Sequence, residues 1–219
     1  MCQKNIPLLL SYELVREAVA LAPFDADAAH ERMSPRPRTR VRPADLAGEA
    51  RVGAVLLVLY NDRDATNVVM IRRQEHLEYH PGQISFPGGR RQGRETLQTT
   101  AVRETGEEVG IAPEALTVFG PMKPIYVPPS DFIVHPFVAW HDSLPAFRGD
   151  PREVAEIIAV PLAQLDPEPA RGSELRTIDG RPVVIPYFAV RRHKVWGTTA
   201  MIMSEFLERT RAVCAREAR

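Results

Sequence analysis

Three neighbouring glutamates, Glu104, Glu107 and Glu108, have the residue type and spacing that point most directly to chemistry. Residues 96–109 read as a helix, and Gly110 stands where a C-terminal cap belongs. At about 100° per residue, the three carboxylates fall within one arc of about the same width and are expected to converge. Like charges three and four apart cost roughly 0.2–0.5 kcal/mol per pair. They also lie toward the helix C-terminus, where the macrodipole disfavours anions. A divalent cation offsets both penalties, and oxygen donors without His or Cys select Mg²⁺ or Mn²⁺ over zinc. Arg103, on the same helix, can pair with Glu95 and hold a carboxylate in one rotamer.

Gly89, Glu95, Arg103, Glu104, Glu107, Glu108 and Gly110 together form a longer pattern. Average residue usage would produce those fixed positions in about one chain in a million of this length. The stretch resembles the signature box of the Nudix hydrolases, with Thr105 where the family usually has an aliphatic residue. The resemblance implies an α/β protein, a Nudix-type α/β/α sandwich with a mixed β-sheet, that hydrolyses a pyrophosphate bond in a nucleotide derivative. Under it, Glu104, Glu107 and Glu108 become ligands of Mg²⁺ or Mn²⁺, and the Gly89 carbonyl a further one. Arg103, Glu104 and Glu107 are the catalytic candidates, with either glutamate as base, and Glu95 supports Arg103 from behind the ligands. Cations bridging two phosphates would withdraw charge and lower the pKa of a bound water. Glu153 and Glu156 are candidates for a late ligand, although packing at the start of a strand accounts for both without one.

Residues 69–89 (VMIRRQEHLEYHPGQISFPGG) resemble the segment that marks the coenzyme A pyrophosphatase branch, in Arg73, Gly82, Phe86, Pro87, Gly88 and Gly89. That branch usually has Thr where Ile71 stands, a small residue where Gln74 stands and arginine where Glu78 stands. Exchanging a cation for an anion beside an anionic substrate is not conservative. Residues 130–138, 153–162 and 196–202 extend the resemblance, so that it covers about 52 to 207. It implies cleavage of coenzyme A or its thioesters to 3′,5′-ADP and 4′-phosphopantetheine, with Arg72, Arg73, His76 and His80 contacting substrate phosphates. Two alternatives stay open. One is a Nudix hydrolase of ADP-ribose, a dinucleotide or a damaged nucleotide; the other is a non-catalytic nucleotide sensor, which would not need clustered glutamates.

Around these residues the chain has the composition of a globular protein, 44% hydrophobic and 26% charged. Lys+Arg and Asp+Glu are both 28, so no global positive field holds a nucleic acid. A small nucleotide substrate must be met locally. Cys2 and Cys214 have no metal or redox spacing. The apolar stretch Pro7 to Leu10 is too short for a membrane span or a leader. A cytoplasmic protein is expected, with no membrane partner, and a homodimer is left open.

Residues 1–50 are expected to be an extension and 51–219 the hydrolase domain. The extension should hold a helix from Tyr12 to about Leu21, capped by Ser11, and a solvated Pro/Arg-rich connector at 34–44. Strands are expected at 51–60 and 67–72 as a hairpin, at 84–86, and at 115–120, 132–139, 153–160 and 182–189. Asp179-Gly180 should form the tight turn before the last. Residues 74–83 read as loop. The segment from Thr198 onward reads as a helix presenting Ile202, Met203, Phe206, Leu207 and Val213 to the core.

Overall fold

The computed structural model describes residues 8–38, 49–165, 171–178 and 180–217. Its central strand is β1 (Arg51–Asp62), whose apolar run is continuous because both of its faces are covered. β1 forms the expected hairpin with β2 (Ala65–Arg73), and along its other edge runs parallel to β7 (Phe132–Trp140). β3 (Ile84–Ser85) and β8 (Val154–Pro161) pair with β2, while β4 (Gly88–Arg90) pairs with the first half of β1. β5 (Thr117–Pro121) and β6 (Ile125–Val127) pair with β7. The sheet is mixed, as expected. A second antiparallel sheet holds β9 (Arg171–Ile178), β10 (Arg181–Val190) and β11 (His193–Trp196).

Period-two alternation divides the central side chains between two layers. Ala54, Leu56, Val58, Tyr60, Val69 and Ile71 meet Ala101 and Val109 of α3 (Leu97–Val109). Leu57, Leu59, Val68 and Met70 point the other way, onto α1 (Tyr12–Ala20) and α4 (Gly197–Glu217). Helices thus cover both faces, giving the α/β/α sandwich. α1 buries Leu14, Val15 and Ala18, and Ser11 accepts from the Leu14 N–H at its start. α4 buries all five side chains expected of it. Among the described residues no helix is long and apolar enough to cross a membrane.

Several elements depart from expectation. α2 (Ala26–Glu31), capped by Asp25, has too few residues to display a period in sequence. β4, β6 and β11 are similarly short, and β9 carries mostly polar and glycine residues. Residues 34–38 of the proposed connector are not simply solvated. Ser34 is buried, and Arg36 exchanges two backbone hydrogen bonds of 2.9 Å with Val184, which adds an isolated bridge to β10. The rest of that connector lies outside the described residues. So does Asp179, although Ile178 faces Arg181 across a two-residue turn in which Gly180 has φ 73°.

Candidate active site

α3 sets the site. Thr96 accepts from the Thr99 N–H at its start, and Gly110 ends it in the left-handed region at φ 76°. Its inner side presents Glu104 and Glu108, four residues apart, to β4. A Cβ at Gly89 would lie 2.5 Å from the Glu104 carboxyl carbon, so only glycine allows that carboxylate against the strand. Glu108 is 2% exposed. Its Oε2 accepts from the Gly88 N–H at 2.8 Å, whereas its buried Oε1 has no hydrogen-bond partner.

Burial is the main cause of a raised pKa at both groups. It pushes the Glu108 carboxyl up to about 8, against the pull of the Gly88 N–H and Arg73, with Glu104 and Glu153 adding to the rise. Glu104 is raised by burial against the attraction of Arg103, and Glu107 and Glu153 again add to the rise. Arg103 grips Glu95 with both arms of its fork, Nε to Oε2 at 3.1 Å and Nη2 to Oε1 at 2.9 Å. That grip, together with the Gln92 N–H, holds the Glu95 carboxyl at about 2. The same guanidinium reaches Glu104 Oε1 at 3.0 Å and Glu107 Oε2 at 2.9 Å.

The full convergence of three carboxylates is not found. Glu107 lies on the flank of α3, its side chain 57% exposed, where Arg103 one turn earlier draws it aside. Among the described residues no group of three or more His, Cys, Asp or Glu side chains is gathered to hold an ion. The groups present nevertheless fit a hard divalent cation. Glu108 Oε1 is a buried oxygen without a hydrogen bond, the neighbouring donors are carboxylates, and the glycine strand keeps the space beside them clear of side chains.

Strand alternation separates the remaining candidates. Arg73 continues the face of Val69 and Ile71 toward α3, with Nη1 3.9 Å from Glu108 Oε1. Arg72 points away and is held by Glu75 at 2.9 Å and Glu156 at 3.7 Å. His80, at φ 56°, sets Nε2 3.4 Å from Ser130 Oγ. Burial and then the Arg73 charge lower its pKa, which favours the neutral imidazole at neutral pH. His76 is exposed on the same loop. Glu156 is occupied by Arg192 at 3.0 Å and His193 at 3.1 Å. Glu153, by contrast, is close enough for its charge to act on both Glu104 and Glu108. A register shift between Arg72 and Arg73, opposite Val154 and Glu156, accompanies this division and has no mark in the sequence.

The raised Glu108 carboxyl gives a pH signature. The unfolded group ionises near 4.5 and the folded one near 8, so between those values the folded state binds more protons and metal-free stability falls as pH rises. A cation binding at Glu108 must displace that proton. The rise in Tm caused by Mg²⁺ is therefore expected to grow from about pH 6 to about pH 9, with proton release seen by calorimetry in buffers of different ionisation heat. A pH-independent shift without proton release would exclude Glu108 as the ligand.

A mixed sheet between helical layers carries inward carboxylates on a capped helix against a glycine strand. The NUDIX domain model matches residues 50–179. Human mitochondrial coenzyme A diphosphatase NUDT8 is 34% identical over 170 residues, covering 75% of this chain and 69% of that protein. Nudix hydrolase 3 of Caenorhabditis elegans is 32% identical over 122 residues, and the match covers 54% of this chain and only 50% of that protein. A solved MutT/nudix family protein from Enterococcus faecalis has a TM-score of 0.52 at 14% identity, covering 92% of this chain and 74% of that chain, and shares the fold. The chain belongs to the Nudix family and is a pyrophosphohydrolase.

Proposed function

We propose that this enzyme cleaves the pyrophosphate of coenzyme A or its thioesters to 3′,5′-ADP and 4′-phosphopantetheine, with Mg²⁺ or Mn²⁺ as cofactor. The observation that carries metal-dependent hydrolysis is the buried Glu108 Oε1, which has no hydrogen bond, near Glu104 and the glycine strand. The matched segment from Arg73 to Gly89, together with the similarity to the human coenzyme A diphosphatase, supports the substrate. Glu104, Glu108 and the Gly89 carbonyl would hold the ion, with Glu107 joining when it leaves Arg103. A bound ion supplies charge that stabilises the phosphate oxygens and acidifies the attacking water.

The chain's own groups do the rest. Glu95 immobilises Arg103, which orients Glu104 and balances its charge. Arg73 offers a guanidinium to the pyrophosphate, and His80 an N–H. Water attacks one phosphorus, the bridging P–O bond breaks, and the water proton passes to Glu104, Glu107 or the nearby Glu153. Exposed Glu78, on the loop that bears His80, favours a second reading, a differently shaped nucleoside diphosphate derivative such as ADP-ribose. We place the reaction in the cytoplasm, on a small-molecule nucleotide rather than a nucleic acid.

The test is product identification after incubating the purified enzyme with coenzyme A, acetyl-coenzyme A, ADP-ribose and diadenosine tetraphosphate, each with Mg²⁺ and with Mn²⁺. Release of 3′,5′-ADP with the highest kcat/KM is expected. Intact coenzyme A beside rapid cleavage of ADP-ribose would transfer the assignment to the second reading.

A further inference from the structure

A second group of side chains lies near the glycine strand and Arg73. Arg51 opens β1 and lays its guanidinium over two rings, 4.5 Å from the centroid of Tyr79 and 5.2 Å from that of Phe132. Arg51 and Phe132 face each other across the parallel β1–β7 ladder, and Tyr79 lies on the 74–83 loop. This loop is anchored rather than loose. Arg73 Nε donates to the Tyr79 carbonyl at 3.4 Å, His80 meets Ser130, and Arg51 donates to the Ser130 carbonyl.

Two routes connect this group to the acidic helix. A Cβ at Gly53 would lie 2.4 Å from the Gly89 oxygen and 2.6 Å from Phe132 Cε1, so that carbonyl and the ring edge are close neighbours. Gly89 in turn abuts Glu104. By the other route, Arg73 spans the Tyr79 carbonyl and Glu108. The Phe132 ring edge therefore lies beside the Gly89 carbonyl, and the Tyr79 backbone beside Arg73, the groups that a pyrophosphate would meet.

Their chemistry complements the other half of such a substrate. Tyr79 is 38% exposed and offers a π surface backed by a cation. Among the described residues Arg51 forms no ion pair with a carboxylate, and its charge meets a carbonyl oxygen and two ring faces but no anion. A flat aromatic surface beside an uncompensated guanidinium suits a phosphorylated nucleoside, by stacking and by charge-assisted hydrogen bonding.

We propose that Arg51, Tyr79 and Phe132 form the subsite for the nucleoside end of the substrate, the base stacking on Tyr79 and Arg51 taking a phosphate on the ribose. Phe132 shapes the floor between this subsite and Gly89. The assignment rests on the reading of the chain as a hydrolase of a nucleoside diphosphate derivative.

The test separates the two by measuring binding without metal. Adenosine 3′,5′-bisphosphate and adenosine 5′-monophosphate are titrated calorimetrically, in EDTA, into the full chain and into Tyr79→Phe, Tyr79→Ala and Arg51→Met. The unsubstituted protein is expected to bind both and to prefer the bisphosphate. Tyr79→Ala should weaken both about tenfold while Tyr79→Phe binds normally, as stacking requires. Arg51→Met should abolish the preference for the bisphosphate. Unchanged Tm values would show that the fold is intact. Absence of nucleotide binding by the unsubstituted protein, or binding by Tyr79→Ala and Arg51→Met as tight and as selective as that of the unsubstituted protein, would overturn the subsite. Tyr79-dependent binding in a protein that cleaves no nucleotide would uphold the subsite and reject hydrolysis.

Discussion

Glu108→Gln is expected to lower kcat by about 10²–10³-fold and to leave the fold intact, because several kcal/mol of transition-state charge stabilisation depend on the cation it helps to hold. The substitution is nearly isosteric, and the amide oxygen can still accept from the Gly88 N–H. It also removes an ionisable group whose burial opposes the charged form, so metal-free stability near pH 8 should hold or rise. The decisive pattern combines three measurements: lost turnover, unchanged or higher Tm in EDTA, and no further rise in Tm with Mg²⁺. Near-normal kcat would remove the metal assignment. A collapsed Tm in EDTA would instead make Glu108 a structural residue whose loss says nothing specific about catalysis.

The parts of this site that depend on spacing along one element were legible in the sequence. The Glu95–Arg103 pair spans a helix start and two helical turns, and local geometry brings its members together. The inner positions of Glu104 and Glu108 follow from the same period, and so does the apolar face of α1. At Glu107 helical spacing is not enough. The helical arc limits its direction, but a competing cation on the same helix decides which way it turns. A signal for Arg72 and Arg73 was present, since adjacent residues of a strand point to opposite faces, and only Arg73 can share the face of Val69 and Ile71. The sequence offers Glu153 and Glu156 alike as a late ligand, because what brings Glu153 toward Glu104 is the pairing between β2 and β8. The ring cluster at Arg51 is likewise assembled from three distant segments.

The other large effect lies away from the catalytic groups, where the N-terminal helices meet α4. From Thr199 to Leu207 α4 is buried all round, so periodicity does not reveal what surrounds Glu205. That carboxylate is fully buried, 2.7 Å from His30 Nε2 and 2.9 Å from Arg209 Nε. Arg209 also donates to the Leu21 carbonyl at 3.0 Å beyond the end of α1, and its guanidinium lies 4.4 Å from the Phe24 ring centroid. Burial alone would raise the Glu205 pKa, but the hydrogen bonds and charges of His30 and Arg209 outweigh it and leave the carboxyl below its usual value. Its contribution is therefore complete above the ordinary carboxylate range and is lost as pH falls through the lowered folded value.

Glu205→Ala leaves Arg209 and His30 without their shared anion and is expected to cost about 3–5 kcal/mol, the range for breaking a buried pair from one side. For a chain of this size that lowers Tm by on the order of 10 °C. Denaturant titration should show the loss at pH 7 and a smaller difference from the unsubstituted protein at about pH 3, where the carboxylate no longer contributes fully. A loss below about 1 kcal/mol at pH 7 would mean that the apolar contacts of Leu14, Val15 and Phe206 hold the N-terminal helices without this ionic lock.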